Sequence, residues 1–198
     1  FYIFLFYNYY TKELFKAKNK INGSINIFGK PFFFHYGLAF YVTYDEIFKK
    51  GIYNFSTVNE KPVILDCGSN MGLSVLFFSK TFPNSEIIAF EPDKKVLKYL
   101  EKNILSQNLE NVKLIKKGVW SSETNLNFFT DGGMGGRLQI GYEKQLPDVI
   151  STVRLKDYLD RQISFLKIDI EGAEFQVLID IEDKLKNVEN VFLEYHSF

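Results

Sequence analysis

Cysteine is nearly missing from this chain: among 198 residues only Cys67 carries a thiol. One thiol can neither close an internal disulfide nor build a cysteine-rich zinc site, and it suits a reducing compartment, here the cytoplasm. Net charge is missing too, because 24 basic residues offset 24 acidic ones. No global field draws the chain to nucleic acid or to an anionic membrane, so neither partner is expected. No apolar run reaches the roughly 20 residues that a bilayer-spanning helix needs. Phe1–Tyr7 is strongly apolar but short, and it lacks the basic flank and small-residue cleavage site of a signal peptide. Internal repeats and low-complexity linkers are also lacking.

What is abundant is apolar and aromatic surface: 46% of the residues are hydrophobic, with 21 Phe and 12 Tyr. That suffices for a sizeable core. Two parts are expected, a lead-in over residues 1–60 that packs on the core and a main domain over residues 61–198. The chain begins with Phe and its last apolar run stops shortly before Phe198, so it reads as a fragment that lacks at least one C-terminal element. Oligomeric state is not legible.

Within the lead-in, turns are read at Asn22-Gly23-Ser24 and Gly29-Lys30-Pro31, with short strands at Ile25–Phe28 and Phe32–Tyr36. Asp45–Lys50 before Gly51 reads as a short helix with a glycine stop. From Pro62 onward a βα rhythm takes over. Val63-Ile64-Leu65 is wholly apolar, as a strand buried on both faces should be, and a helix follows from Gly72 to about Lys80. Ile87–Phe90 is the next strand. Pro92 then opens a helix to about Gln107 whose apolar stripe is Val96, Leu97, Leu100, Ile104 and Leu105. Val112–Ile115 is a third strand.

After it the rhythm breaks. Leu126–Phe129 and Leu138–Ile140 read as a hairpin around the glycine-rich tip Asp131–Gly136, followed by a strand at Val149–Val153 and a short helix over Leu155–Arg161. The βα pattern resumes with Ile163–Ile170, a helix from about Glu171 to Ile181, and a last strand at Val191–Glu194. The expected class is α/β: a doubly wound, mostly parallel Rossmann-like sheet with an N-terminal lead-in and an inserted hairpin.

Glycine spacing after the first parallel strand separates the ligand classes. A dinucleotide fold wants G-x-G-x-x-G, but counting from Gly68 the other two glycine positions hold Asn70 and Leu73. A P-loop match at Gly23 to Gly29-Lys30-Pro31 has one residue too many and a proline where a hydroxyl belongs. Phosphate cradling is therefore unsupported. What stands is Asp66-Cys67-Gly68-Ser69-Asn70-Met71-Gly72, with Glu91 at the tip of the second strand, where an acid can accept both hydroxyls of a ribose.

That D-x-G-x-N-x-G turn resembles motif I of class I S-adenosylmethionine-dependent methyltransferases. A second segment, Lys167-Ile168-Asp169-Ile170-Glu171-Gly172-Ala173-Glu174, narrows the resemblance to FkbM-type methyltransferases. With Phe90-Glu91-Pro92 and the end Phe192-Leu193-Glu194-Tyr195-His196, it covers about residues 40 to 198. The resemblance implies S-adenosylmethionine as cofactor and methylation of a hydroxyl on a small-molecule acceptor such as a sugar or a secondary metabolite. It implies that Asp66, Gly68, Ser69, Asn70 and Gly72 shape the methionine side of the pocket. Glu91 and Pro92 would then lie at the ribose, and Gly118 and Val119 by the adenine.

For the chemistry, Asp169 ends one strand while Glu194 and His196 end its expected neighbour, so the three can share a pocket at the reacting methyl. His196 is the natural base, since its pKa lies near the working pH. No metal is assigned, although these three could hold one. Lys167 lies in an apolar strand and needs an acid partner, for which Glu194 or another acid is expected. Cys67 reads as a small packing residue, His35 as a surface or packing histidine, and Gly132–Gly136 as a hairpin tip or a lid. Two other function classes remain open. One is a nucleotide-binding oxidoreductase; the other is a methyltransferase-like domain that binds without turnover.

Overall fold

The structure is a computed structural model that describes residues 13–130, 136–138 and 147–196. Its first sheet is a hairpin of β1 (Ile21–Ile27) and β2 (Lys30–Tyr36), turned by Phe28 and Gly29 at φ +52° and +81°. The expected turn at Asn22-Gly23-Ser24 lies instead inside β1. Gly23 pairs with Phe34, and a Cβ there would sit 2.4 Å from the Phe34 ring, so this glycine serves close packing rather than chain reversal. Helix α1 (Gly37–Tyr44) follows and runs directly into a π-helical turn, Asp45–Lys50, which Gly51 stops at φ +69°. The short helix expected at Asp45–Lys50 is thus the tail of a longer one. The apolar Phe1–Tyr7 run lies outside the described residues.

The main sheet starts with β3 (Val63–Cys67), which leads through a glycine turn into α2 (Leu73–Thr81). β4 (Glu86–Phe90), α3 (Lys94–Gln107) and β5 (Val112–Ile115) follow in alternation. Pro92 precedes α3 rather than opening it. Asp93 is the N-cap, its side chain accepting the N–H of Lys95 at 2.7 Å. The chain then builds a second sheet from β6 (Gly118–Trp120), β7 (Asn125–Thr130), β8 (Gly136–Leu138) and β9 (Asp148–Arg154), in the order β6-β9-β7-β8. β7 and β8 pair antiparallel, as the hairpin reading expects; the tip residues 131–135 lie outside the described residues. A 3₁₀ turn at Leu155–Tyr158 leads to β10 (Phe165–Ile168), α4 (Glu174–Ile181) and β11 (Val191–Leu193).

β3, β4, β5, β10 and β11 are all parallel, in the spatial order β11-β10-β3-β4-β5. The order reverses at β3, so the crevice between the tips of β3 and β10 is the switch point where such sheets bind ligands. Successive residues of each strand alternate between two apolar clusters. Ile64, Ile87, Ala89 and Phe165 face α2 and the lead-in, whereas Leu65, Cys67, Ile88, Phe90, Leu166 and Ile168 face α4 and the second sheet. The central strands β10, β3 and β4 are buried on both sides, which is why they read as continuous apolar runs, whereas Val191 and Leu193 of the edge strand β11 are exposed.

The lead-in joins the first of these clusters through Ile25, Phe32, Phe34, Phe40 and Ile47. Asn103 of α3 fixes it there. Its Oδ1 accepts the N–H of Phe33 at 2.7 Å, and its Nδ2 donates to the carbonyls of Phe33 and Met71, both at 2.8 Å. None of the described helices is long and apolar enough to cross a membrane.

Candidate functional site

The turn after β3 is built by backbone that few residues tolerate. Gly68, Asn70 and Gly72 take φ +88°, +48° and +93°. The N–H groups of Gly68 and Ser69 donate to the carbonyl of Phe90 at 3.1 and 3.0 Å, which stitches the turn to the tip of β4. A Cβ at Gly68 would lie 1.8 Å from the Asp169 carbonyl oxygen, so only glycine allows the tips of β3 and β10 to approach this closely. Asn70 suits its left-handed position because its own Oδ1 accepts the N–H of Met71 at 2.7 Å.

Beneath the turn lies Asp66, fully buried. Its Oδ2 accepts from the Ser74 hydroxyl at 2.6 Å, and its Oδ1, which has no hydrogen bond, lies 3.5 Å from the Lys167 ammonium. Glu91, at the tip of β4, is also buried. Its Oε2 accepts the N–H of Asn70 and its Oε1 the N–H of Asp93, both at 2.8 Å. Burial pushes this carboxyl up to about 7, against the two backbone N–H groups that favour the charge.

Glu91 lines a cleft of about 700 Å³, measured out to solvent, at the carboxyl ends of the strands. Gly68, Asn70, Pro92 and Asp169 share its rim with Glu91, while Phe90, Val96, Val119, Phe128 and Ile150 make an apolar wall. Gly118 belongs to β6 of the second sheet, where an added Cβ would meet Ile150 Cδ1 of the neighbouring β9 at 3.0 Å. Among the described residues that line the cleft, none is Lys or Arg. A pyrophosphate would have to bind there without a cation and beside the carboxyls of Glu91, Asp93, Asp169 and Glu171, whereas an uncharged ribose and a flat base match hydrogen-bond acceptors and an apolar wall.

The acid-rich segment after β10 wraps around one side chain. Glu174 is fully buried; its Oε1 accepts the N–H of Ile170 at 3.1 Å and its Oε2 that of Gly172 at 2.9 Å. Glu171 and Gly172 take φ +57° and +97°, so α4 begins at Glu174 and not at Glu171 as the sequence suggests. His196 lies over this loop, with Nδ1 3.2 Å from Glu174 Oε1, and Nε2 3.6 Å from Glu171 and 3.7 Å from Glu194. Burial pushes Glu171 up to about 7, with Asp169, Glu174 and Glu194 adding to the rise and His196 opposing it. Burial disfavours the His196 imidazolium, yet Glu171 and Glu174 outweigh it and hold the ring above its usual pKa. Asp169, Glu171 and His196 each place a ligand atom within 4.8 Å of the others, a donor set suited to a divalent cation.

Of the residues named from the sequence, Gly68, Asn70, Glu91, Pro92, Gly118, Val119 and Asp169 line one cleft. Ser69, Gly72 and Asp66 shape it from behind: the Ser69 hydroxyl donates to the Asp66 carbonyl at 3.0 Å, and a Cβ at Gly72 would sit 2.6 Å from Leu100. Glu194 and His196 stand beside Asp169 but outside the described lining. The Lys167 partners are Asp66 and Asp169, not the Glu194 the sequence reading named first. Sequence reasoning missed Phe128, Ile150 and Thr152, which the second sheet carries to the cleft; no local motif marks them. Cys67 is buried as expected, and burial raises its thiol pKa, which keeps it uncharged.

A parallel sheet in this order, a glycine turn over its first strand and an acid at the tip of its second define a Rossmann-like fold of the methyltransferase type. The chain belongs to the FkbM methyltransferase family, whose domain model matches residues 66–198. Methyltransferase sdnD of Sordaria araneosa is 29% identical, over 76% of this chain and 73% of its own length. Methyltransferase 1 of Beauveria bassiana is 25% identical, over 76% of this chain and 71% of its own. A solved structure, methyltransferase FkbM from Methylobacillus flagellatus, is 19% identical with a TM-score of 0.49, over 74% of this chain and 36% of that one. The chain therefore spans over two thirds of both curated relatives and about a third of that solved chain.

Proposed function

We propose that this chain binds S-adenosylmethionine in the cleft and methylates a hydroxyl oxygen of a small-molecule acceptor, with sugars and secondary metabolites as the candidate class. The observation that carries the proposal is Glu91: a buried acid at the β4 tip, held by two backbone N–H groups, facing a cleft whose described lining has no cation. Each carboxylate oxygen has spare acceptor capacity beyond one N–H, enough for two ribose hydroxyls. Phe90, Val96, Val119, Phe128 and Ile150 offer an apolar slot for a purine, and the Gly68–Gly72 turn fits the methionine end.

When bound, the cofactor would supply an electrophilic methyl on a sulfonium, for in-line transfer to the acceptor oxygen with loss of the carbon–sulfur bond. The protein aligns the acceptor and removes its hydroxyl proton. His196 is the proposed base. Glu171, Glu174 and Glu194 surround it and favour the imidazolium that it becomes on taking the proton. Asp169 is proposed to face the reacting groups from the cleft rim. The single buried thiol fits a cytoplasmic setting.

Titration calorimetry with S-adenosylhomocysteine tests the cofactor, and transfer of a labelled methyl group to a panel of hydroxylated acceptors tests the reaction. Micromolar binding and label on oxygen are expected. If NADH bound and S-adenosylhomocysteine did not, the oxidoreductase reading would replace this one. Binding without transfer across the panel would leave a binding domain.

A further inference from the structure

Lys167 is a buried charged group to which the proposed reaction gives no role. It sits in β10 with 2% of its side chain exposed, on the face toward α2 and the lead-in. A packing role does not explain an ammonium there, because an apolar side chain of similar volume fills such a site at no charge-burial cost. Its contacts suggest another purpose. Nζ donates to the Gly68 carbonyl at 2.9 Å and to Asp169 Oδ2 at 3.1 Å, and it lies 3.5 Å from Asp66 Oδ1. Burial opposes the charge, but Asp169, Tyr53 and Asp66 more than restore it, and the ammonium stays protonated.

Those contacts join three pieces of the cleft. Gly68 belongs to the turn after β3, Asp66 lies under that turn and is bonded to α2 through Ser74, and Asp169 ends β10 on the cleft rim. We infer that Lys167 is a positioning residue: by holding Asp169 Oδ2 against the Gly68 carbonyl, it fixes where the Asp169 carboxylate stands relative to the cofactor turn. The remaining oxygen, Oδ1, is thereby presented to the cleft for a cationic or hydrogen-bond-donating group of the ligand. Asp66 balances the second half of the charge and keeps the ammonium from swinging toward either carboxylate alone. Lys167 acts through Asp169 and touches no ligand itself.

This inference rests on the proposed cofactor site, and a double-mutant cycle read in S-adenosylhomocysteine affinity tests it. Lys167→Met and Asp169→Asn should each weaken binding about tenfold, the size of one charged hydrogen bond. The double variant should be no more than about twofold weaker than either single one, because both break the same unit. Lys167→Gln, which keeps a donor but loses the charge, should recover part of the affinity and serves where Lys167→Met fails to fold. A core variant in the lead-in, Ile47→Ala, whose cluster contains no residue of the cleft lining, should lower the unfolding temperature while leaving affinity unchanged, which separates positioning from general loosening. Additive losses, or normal affinity in a destabilised Lys167→Gln, would overturn the inference and leave the cofactor site standing. If the unaltered protein failed to bind, both would fall.

Discussion

Glu91 Oε2 accepts the backbone N–H of Asn70 at 2.8 Å, so the acid at the tip of β4 holds the crest of the glycine turn that follows β3. The two residues are 21 positions apart and form one wall of the cleft. Glu91→Ala removes the acceptor for Asn70 and the proposed acceptor for the ribose together. S-adenosylhomocysteine binding should weaken by about 1.5 to 3 kcal/mol, roughly 10- to 150-fold. Calorimetry that shows unchanged affinity would place the ribose elsewhere.

The same acid gives a pH signature. Glu91 rises from its ordinary 4.5 to about 7 on folding, chiefly through burial. A raised carboxyl stabilises the folded state below about 4.5, and that stability is lost as pH climbs through about 7. Glu171 rises to about 7 and acts in the same direction; His196, raised above 6.5, loses its share higher still. Without ligand, the unfolding temperature should therefore fall between about pH 5 and 8, and fall less in Glu91→Gln. Ribose hydroxyls favour the charged acid, so cofactor-product affinity should rise over the same interval. A thermal-shift series that rises with pH, with no difference between the two proteins, would contradict the linkage.

His196 is ringed by Glu171, Glu174 and Glu194, which favour its protonated form. As a base it must be neutral, so turnover should climb with pH through a value above the usual 6.5 of an imidazole. His196→Gln should lower turnover about 100-fold while changing S-adenosylhomocysteine affinity less than about twofold. A larger effect on affinity than on turnover would make His196 a binding or structural residue.

Asn103 ties the Phe33 backbone of the lead-in to the Met71 carbonyl in the cofactor turn. Asn103→Ala strands these buried groups and leaves a void, so chemical denaturation should report a loss of about 3 kcal/mol. The hairpin would then loosen along with the turn. A loss below about 1 kcal/mol would mean that the lead-in is held by its apolar contacts alone.

Much of the cleft is legible in the sequence because its signals are local. A run such as Val63-Ile64-Leu65 is apolar throughout only when both faces are buried, and Gly68, Asn70 and Gly72 are the residue types that left-handed backbone selects. Glu91 is legible in the same way, standing directly after an apolar strand. Gly23 misled for a related reason. Its neighbours Asn22 and Ser24 spell a turn, but the glycine is there to admit the Phe34 ring, a contact made across the hairpin. The start of α4 misled as well, because the Glu174 carboxylate holds Gly172 in a loop that composition alone does not distinguish from a helix.

The βα alternation, the strand that carries Asp66, the turn over it, the acid at Glu91 and the family segment from Lys167 to Glu174 are all readable along the chain. Each is written in residues close together in the chain, where backbone preference and burial period act. The assembled fold, by contrast, sets Phe128 and Ile150 of the second sheet at the wall of the cleft. It also decided that Lys167 pairs with Asp66 and Asp169 while Glu174 reaches His196. Those outcomes depend on strand order and on which face each side chain takes once the sheet is assembled. No local pattern encodes them, because the energy of a buried charge or an aromatic contact is set by partners far away in sequence.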